Sequence, residues 1–225
     1  MGLNLERDTT FLLKIDPIRG YNRNKNEEKR IIMHNVFLAL LLVMASPLLA
    51  HAPVINDGDE PMTVEAPYII EEPEHSKAIF SELDGEAHYY QIVSSTPFKF
   101  YAGVTAPKLE TCDLSQTFDL QILDENQNQI DQRRGSSVDW WPWYEEYGKT
   151  WYWVGPEIGK DFKSDRQYEA GTYYVKVSNS QNVGKYVLAV GDEERFGFGT
   201  IARMVLNGTM GKIRDGWWNE SYCNE

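Results

Sequence analysis

Short stretches in which every second residue is apolar recur along the middle of this 225-residue chain, and they limit the folds open to it. Apolar and polar side chains alternate in residues 87–94, 118–123 and 172–177. Successive side chains of a strand point to opposite faces of a sheet, so a period of two is typical of a strand with one buried face. No alternating stretch is followed by a crossover helix, which disfavours an α/β fold. The pattern predicts an all-β protein, an antiparallel β-sandwich.

The same alternation predicts which side chains of each strand share a face. A further strand is predicted over residues 186–190, after a turn at 182–184. The predicted shared faces are Ala78 and Phe80, with Leu83, in 77–83; Tyr90 and Ile92 in 87–94; Phe98, Phe100 and Ala102 in 97–104; Phe118, Leu120 and Ile122 in 118–123; and Tyr173, Val175 and Val177 in 172–177.

A tryptophan-rich stretch interrupts this rhythm between residues 133 and 168, and it holds five of the seven tryptophans. Its length predicts a long insertion or loop between strands. Large aromatic rings carry both apolar area and a polar group, so they either form an exposed platform that binds carbohydrate or protein, or fill a satellite core beneath the insertion. The candidate binding residues are Trp140, Trp141, Trp143, Tyr144, Trp151 and Trp153.

The segment 36–50 is an unbroken apolar run of 15 residues. A membrane-spanning helix needs about 20 apolar residues, whereas this length suits the core of a signal peptide. Lys29 and Arg30 supply the upstream positive charge, and Ala50-His51-Ala52 has the small-x-small pattern of a cleavage site. The sequence therefore predicts an exported protein, periplasmic or extracellular.

These features divide the chain into five predicted parts. Met33 directly precedes the apolar run and is predicted to be the true initiator, so that 1–32 is either a disordered extension or an error in the assigned start. The tail from residue 196 carries an apolar stripe at helical spacing, interrupted by glycines, and is predicted to pack on the sandwich or to lie at a membrane surface. The parts are the extension 1–32, the signal peptide 33–52, an acidic linker or edge strand 53–75, the β-sandwich domain 76–195 and the partly helical tail 196–225.

The chain is acidic, and its acidity is concentrated after the signal segment. Residues 1–52 hold seven Lys/Arg and five Asp/Glu, against 22 and 34 in the whole chain, which leaves the remainder with a net charge of −14. Such a body repels phosphate backbones, so nucleic-acid binding is disfavoured. No segment after residue 52 is apolar enough to span a bilayer, so membrane contact is expected to be peripheral at most. The acidity serves solubility or binds a cation such as calcium.

A calcium site is predicted in the acidic linker, because its oxygen-bearing side chains are the ligands that calcium takes in flexible loops. The alternative is a solvated linker. The candidate ligands are Asn56, Asp57, Asp59 and Glu60.

The two cysteines, Cys112 and Cys223, are predicted to form a disulfide in an oxidising compartment, with unpaired thiols as the alternative. No cluster of cysteine and histidine has the spacing of a zinc site.

The sequence offers little for catalysis. It has no GxSxG motif, and a serine triad needs a placed histidine, for which only His75 and His88 lie in the predicted mature body. Cleavage after Ala50 would place His51 at the N-terminus, where its amine and imidazole can chelate copper; cleavage after Ala52 would remove it. No catalytic residue is predicted, and the protein is not expected to be an enzyme.

Three stretches, residues 80–104, 118–130 and 168–191, together resemble the bacterial pre-peptidase C-terminal domain. Its most specific match is AGTYYVKV at 170–177, followed by GKYVL at 184–188. The resemblance covers roughly residues 76–191, with the tryptophan-rich stretch as an interruption. It implies a jelly-roll-like β-sandwich, an extracytoplasmic location and an accessory role without catalytic residues. On this basis the expected function is that of a non-catalytic exported binding or interaction module, whose partner is a protein or carbohydrate of the cell envelope. The alternative is a structural envelope protein, stabilised by calcium, with no discrete ligand.

Overall fold

A computed structural model describes residues 52–56, 62–110, 112–146 and 149–194, together with Gly208, Gly211 and Ile213. The predicted signal peptide and the extension before it lie outside these residues. Within the described part of the chain, no helix has the length and apolar character needed to cross a bilayer.

Strands hold more than half of the described residues, in keeping with the predicted all-β class. A short 3₁₀ turn, Gly135–Ser137, lies between β8 and β9. The strands are β1 (Ala52–Ile55), β2 (Tyr68–Ile69), β3 (Lys77–Asp84), β4 (His88–Ser94), β5 (Phe98–Phe100), β6 (Ala102–Pro107), β7 (Asp119–Leu123), β8 (Gln129–Arg133), β9 (Trp141–Glu145), β10 (Thr150–Ile158), β11 (Arg166–Tyr168), β12 (Gly171–Ser178) and β13 (Val183–Val190).

Two sheets make up the sandwich-like arrangement. The larger has six strands in the order β1-β3-β13-β6-β10-β9, and the smaller has five in the order β2-β4-β12-β7-β8. A separate two-stranded ribbon pairs β5 with β11. The prediction of an antiparallel fold is wrong at two edges, because β1 pairs with β3 and β2 with β4 in parallel. Both parallel partners lie in the segment before β3, where the alternation of side chains carries no information on strand direction.

The main core lies between the two sheets and contains most of the side chains that alternation assigned to one face. Phe118, Leu120 and Ile122 of 118–123 are buried in it, as are Val175 and Val177 of β12, with Tyr173 packed at its margin. Tyr90 and Ile92 of β4 are buried there as well, and so are the residues 98, 100 and 102. The predicted faces of these strands are therefore confirmed.

The prediction for β3 is confirmed for Leu83 but wrong for Ala78 and Phe80, which lie on the opposite face of the strand. Ile79 and Leu83 belong to the main core, whereas Phe80 is buried in a second cluster with Val187 and Ile213, and Ala78 packs against that cluster. Phe80 and Ile79 are adjacent, so they lie on opposite faces of the strand. Both faces of this strand are covered, and a strand covered on both faces gives alternation nothing to choose between.

Ile213 connects the C-terminal tail to this second cluster. It is buried among Phe80, Tyr152 and Val187 on the outer side of the six-stranded sheet. Both Gly211 and Ile213 have helical backbone. At Ile213 the tail therefore packs on the sandwich, as the sequence predicted; the other stripe residues of the tail lie outside the described part of the chain.

Of the two forms predicted for the tryptophan-rich stretch, a long insertion or a loop, the loop is wrong. Its residues form the hairpin of β9 and β10, and β10 continues the six-stranded sheet by pairing with β6. β10 is nine residues long and carries an irregularity between Val154 and Glu157. Side chains at 151–154 point alternately to the two faces of this sheet, and the hairpin supplies the two strands at one end of it.

Candidate functional site: the aromatic hairpin

The register of the β9–β10 hairpin decides which of its aromatic rings lie together. Residues that pair directly across antiparallel strands share a face. Trp143 pairs with Tyr152, and Trp151 pairs with Tyr144. Since neighbouring residues of a strand point to opposite faces, these two pairs lie on opposite sides of the sheet.

On the outer side of the sheet, Trp143 belongs to a packed aromatic group. Its ring lies 5.9 Å from those of Tyr152 and Phe162, and Trp141 lies 6.1 Å from Phe162. Trp143 also packs against the second hydrophobic cluster. This half of the hairpin matches the satellite-core alternative, although 44% of Trp141 stays exposed.

The other side of the hairpin carries a row of rings, of which Trp151 is exposed and Tyr144 and Trp153 are half-buried. Tyr144 and Trp151 lie 5.2 Å apart, and 45% of Trp151 is exposed. Trp153 packs one part of its indole against the main core, while the Lys108 ammonium lies 5.0 Å from its ring centre. The Lys108 backbone N–H donates to the carbonyl of Trp151 at 3.1 Å. We call Tyr144, Trp151, Trp153 and Lys108 the aromatic strip.

Trp140 belongs to neither group and serves the packing of the sandwich. Its indole N–H donates to the Gly135 carbonyl at 2.9 Å, and its ring lies 6.5 Å from Phe118. A Cβ at Gly155 would come within 2.3 Å of the Trp140 ring. Gly155 therefore provides the space into which this indole fits, and Trp140 is a core residue at the margin of the main cluster.

The structure thus divides the six predicted aromatic residues into three sets. Trp140 is structural, Trp141 and Trp143 lie on the outer face, and the rest form the aromatic strip. A signal for this division was present in the sequence, since WPWYE and TWYWV each alternate. Lys108 had no such signal, because its position over Trp153 depends on the pairing of β6 with β10.

A chain of buried hydroxyl groups joins the two sheets and was not foreseen from the sequence. The Tyr90 hydroxyl donates to Ser81 Oγ at 3.2 Å, the Tyr186 hydroxyl lies 2.6 Å from that of Tyr90, and His88 Nδ1 lies 2.7 Å from the Tyr186 hydroxyl. Each hydroxyl has a single proton, so Tyr186 donates to Tyr90 and the His88 Nδ1–H donates to Tyr186. Ser81 in turn points to the sulfur of Met62 at 3.9 Å.

Burial controls the ionisation of this chain. It lowers the pKa of His88 to about 4 and raises the pKa of both Tyr90 and Tyr186 above their usual range, so all three are neutral at pH 7. A neutral histidine that donates to a buried tyrosine holds the sheets together. Tyr90, Tyr186 and Ser81 are fully buried, so a substrate cannot reach them. His88 is therefore a packed histidine that contacts Tyr186.

The other sequence-predicted sites are only partly within the described residues. Of the calcium candidates, Asn56 is described, with its side-chain amide against the Met62 sulfur, while Asp57, Asp59 and Glu60 lie outside. The calcium site stays a prediction. Among the side chains that the structure describes, no three His, Cys, Asp or Glu are grouped to hold a metal.

The disulfide and copper hypotheses meet the same boundary. Cys112 is half-buried in the described part of the chain, whereas Cys223 lies outside it, so their pairing stays a prediction. His51 also lies outside. His75 Nδ1 lies 2.8 Å from a Glu72 carboxylate oxygen.

Comparisons with known proteins assign neither a family nor an activity to this chain. No protein-family model matches the chain, and no curated protein does. Among solved structures, the chain is similar to the catalytic domain of a GH87 alpha-1,3-glucanase in complex with nigerose, in two structures, one of a substituted form. The identity is 14% and the TM-score 0.29 in each, over 53% of this chain and 22% of the other. At that TM-score the likeness gives no basis for assigning an activity. Since no family model matches the chain, the resemblance to the pre-peptidase C-terminal domain stays a prediction.

Proposed function

We propose that this protein is a non-catalytic binding module of the cell envelope and that the aromatic strip is its contact surface. The proposal rests on Trp151, a large apolar ring that is nearly half exposed on β10, the strand next to the edge of the six-stranded sheet. Exposed aromatic side chains that lie together with other rings mark binding surfaces.

The strand scaffold makes the strip suitable for binding. The Trp151 ring is supported by its cross-strand contact with Tyr144, and the backbone carbonyl of Trp151 is fixed by Lys108. A ring held in place loses little conformational freedom when a partner stacks on it. Indole rings stack on the apolar faces of sugar rings and on apolar side chains, so the strip suits a carbohydrate or protein partner.

The experiment compares two tryptophans of the same hairpin. Trp151 and Trp141 are exposed to almost the same extent, 45% and 44%, but lie on opposite faces of β9 and β10. We expect Trp151→Ala to weaken retention of the purified protein on immobilised envelope polysaccharide or envelope protein by about tenfold or more, as truncation of a central aromatic contact does. Trp141→Ala is the matched control and should bind as the parent does. Equal loss in both variants, or in neither, contradicts the proposal.

Export is the second part of the proposal and is supported by the apolar run 36–50 with its small-x-small site. The first described strand, β1, begins at Ala52, whose N–H donates to the Ser76 carbonyl at 3.2 Å. Cleavage at the predicted site therefore leaves the mature chain starting within or next to β1. N-terminal sequencing of the protein recovered from the envelope checks this: a start at Met1 or Met33 would contradict export with cleavage.

A further inference from the structure

The outer face of the five-stranded sheet carries a second set of side chains arranged for contact. The pairing register places Gln91 beside Tyr174, Tyr89 beside Lys176, and Lys176 beside Gln121. All point away from the main core, since Tyr90, Val175 and Ile122 between them point into it. We call Tyr89, Gln91, Val93, Gln121, Tyr174 and Lys176 the open face.

Solvent reaches this face over its whole width. Val93, on the second strand of the sheet, is 65% exposed. Ile69 on the edge strand β2 is 50% exposed, and Ile130 on the opposite edge strand β8 is 49% exposed. Three of the five most exposed large apolar side chains in the described residues thus belong to this one sheet.

Neighbouring side chains hold the polar groups of the open face in place. Gln91 Nε2 donates to the Tyr174 hydroxyl at 2.9 Å, and Gln121 Nε2 donates to Gln129 Oε1 at 3.0 Å. The Lys176 ammonium lies 5.5 Å from the centre of the Tyr89 ring. Each amide keeps further donor and acceptor capacity toward solvent after these contacts.

The charge of the open face selects the chemistry of its ligand. None of these six side chains is a carboxylate, in a chain with a net charge of −12, and Lys176 is the one charged group among them. Asp119, two residues before Gln121 on the same side of β7, accepts a hydrogen bond from the Gly135 N–H. Past Tyr89 the face leads into a shallow groove of about 280 Å³ that Glu65 and Glu86 line. An anionic polymer would meet these carboxylates and the acidic body, and a cationic polymer would find no carboxylate among the six side chains to pair with.

Amide groups, phenol rings and an apolar centre without a strong field suit a ligand rich in hydroxyl groups. Tyrosine rings stack on the apolar faces of sugars, and glutamine amides both donate to and accept from hydroxyls. An extended chain of sugars also matches the flat shape of a sheet. We propose that the open face binds a neutral polysaccharide, with Tyr174 and Tyr89 as stacking residues and Gln91 and Gln121 as the hydrogen-bonding residues.

The test uses protein expressed from the full-length chain and native gels that contain one polysaccharide each. The neutral probes are hydroxyethylcellulose, laminarin, dextran and galactomannan, and polygalacturonate is the anionic comparison. We expect at least one neutral polysaccharide to retard the protein and polygalacturonate not to. Tyr174→Ala and Gln91→Ala should each raise the dissociation constant for that polysaccharide, measured by retardation in the gel, by about tenfold. An unchanged thermal melting midpoint is the control for folding.

The two binding surfaces are separated by the choice of variants. Trp151→Ala alters the aromatic strip and should leave retardation in the neutral gel unchanged, so this inference and the proposed function can fail independently. Retardation that is lost in Trp151→Ala but kept in Tyr174→Ala overturns the inference. The inference is also overturned if none of the four neutral polysaccharides retards the protein. Sedimentation of the protein as a dimer that Val93→Glu dissociates would also overturn it, since a second copy would then cover the face.

Discussion

The two sheets of this protein differ in how many of their faces are covered. The six-stranded sheet has the main core on one side and the cluster of Phe80, Tyr152, Val187 and Ile213 on the other. The five-stranded sheet is buried on its inner side, while Val93 on its outer side is 65% exposed. The six-stranded sheet therefore contributes both of its faces to packing, whereas the five-stranded sheet leaves its outer face available for contact.

The burial patterns of the individual strands show the same difference. Buried residues run consecutively from 184 to 188 in β13 and from 79 to 81 in β3. In β12 the buried residues Val175 and Val177 alternate with half-buried ones. Continuous apolar runs are typical of strands covered on both faces, and alternation is typical of strands covered on one. Four predictions, from the largest effect to the smallest, test this contrast and the hydroxyl chain that joins the two sheets.

Phe80→Ala should have the largest effect, because it opens a cavity in the second cluster. We expect a loss of about 3–5 kcal/mol in the free energy of unfolding, measured by urea denaturation. Val93→Ala removes an apolar side chain from the other sheet and serves as the comparison. If the two substitutions cost the same, the contrast between a covered and an open face is wrong.

Trp143→Ala should come next, because its ring packs between Tyr152 and Phe162 on the covered side of the hairpin. We expect a loss of roughly 2–4 kcal/mol, somewhat less than for a fully buried aromatic residue. Trp151→Ala, on the exposed strip, should cost about 1 kcal/mol or less. The comparison is made from the midpoints of thermal unfolding of the two variants. A larger loss for Trp151→Ala than for Trp143→Ala would contradict the assignment of the packed rings to the outer face.

The hydroxyl chain between the sheets should make stability depend on pH. Burial lowers the pKa of His88 from 6.5 to about 4, so the unfolded chain binds a proton at a higher pH than the folded protein does. This contribution is complete above pH 6.5 and is lost as the pH falls toward 4. After allowance for the partly exposed ring, the loss between pH 7.5 and pH 5 should be roughly 1–2 kcal/mol.

The matched variant is His88→Gln, which keeps a side-chain donor near Tyr186 and cannot take up a proton in this range. Urea denaturation at both pH values should show that the variant loses less stability on acidification than the parent. An equal loss in both proteins would mean that other groups carry the pH dependence.

Val93→Thr should have the smallest effect. The side chain is mostly exposed, threonine has the same branched shape and strand preference, and surface substitutions usually change stability by less than about 0.5 kcal/mol. A larger loss in the unfolding free energy would show that another part of the protein covers the open face.

Sequence reasoning located most strands to within a few residues and assigned the inward faces of β4, β7 and β12 correctly. It failed at β3, where Ile79 and Phe80 are both apolar and both buried. It also mistook the tryptophan-rich stretch for a loop, since its length and aromatic content outweighed the alternation of Trp141 and Trp143. The parallel pairing of β1 with β3 and of β2 with β4 is not indicated by any pattern in the sequences of β1 and β2.

The candidate site shows the same limit. The sequence identified Trp151 and Tyr144 as possible contact residues, but it grouped them with Trp141 and Trp143, which the hairpin register places on the other face. Lys108 and the chain from His88 to Ser81 involve partners far apart in the sequence, so no local pattern contains them.

The sequence by itself determined that this chain forms strands, because the period of its apolar residues is a local property of each segment. Only the tertiary structure decided which faces of those strands are covered. Pairing register and the packing of distant residues such as Ile213 on Phe80 fix that choice, and both depend on contacts between parts of the chain that share no local pattern.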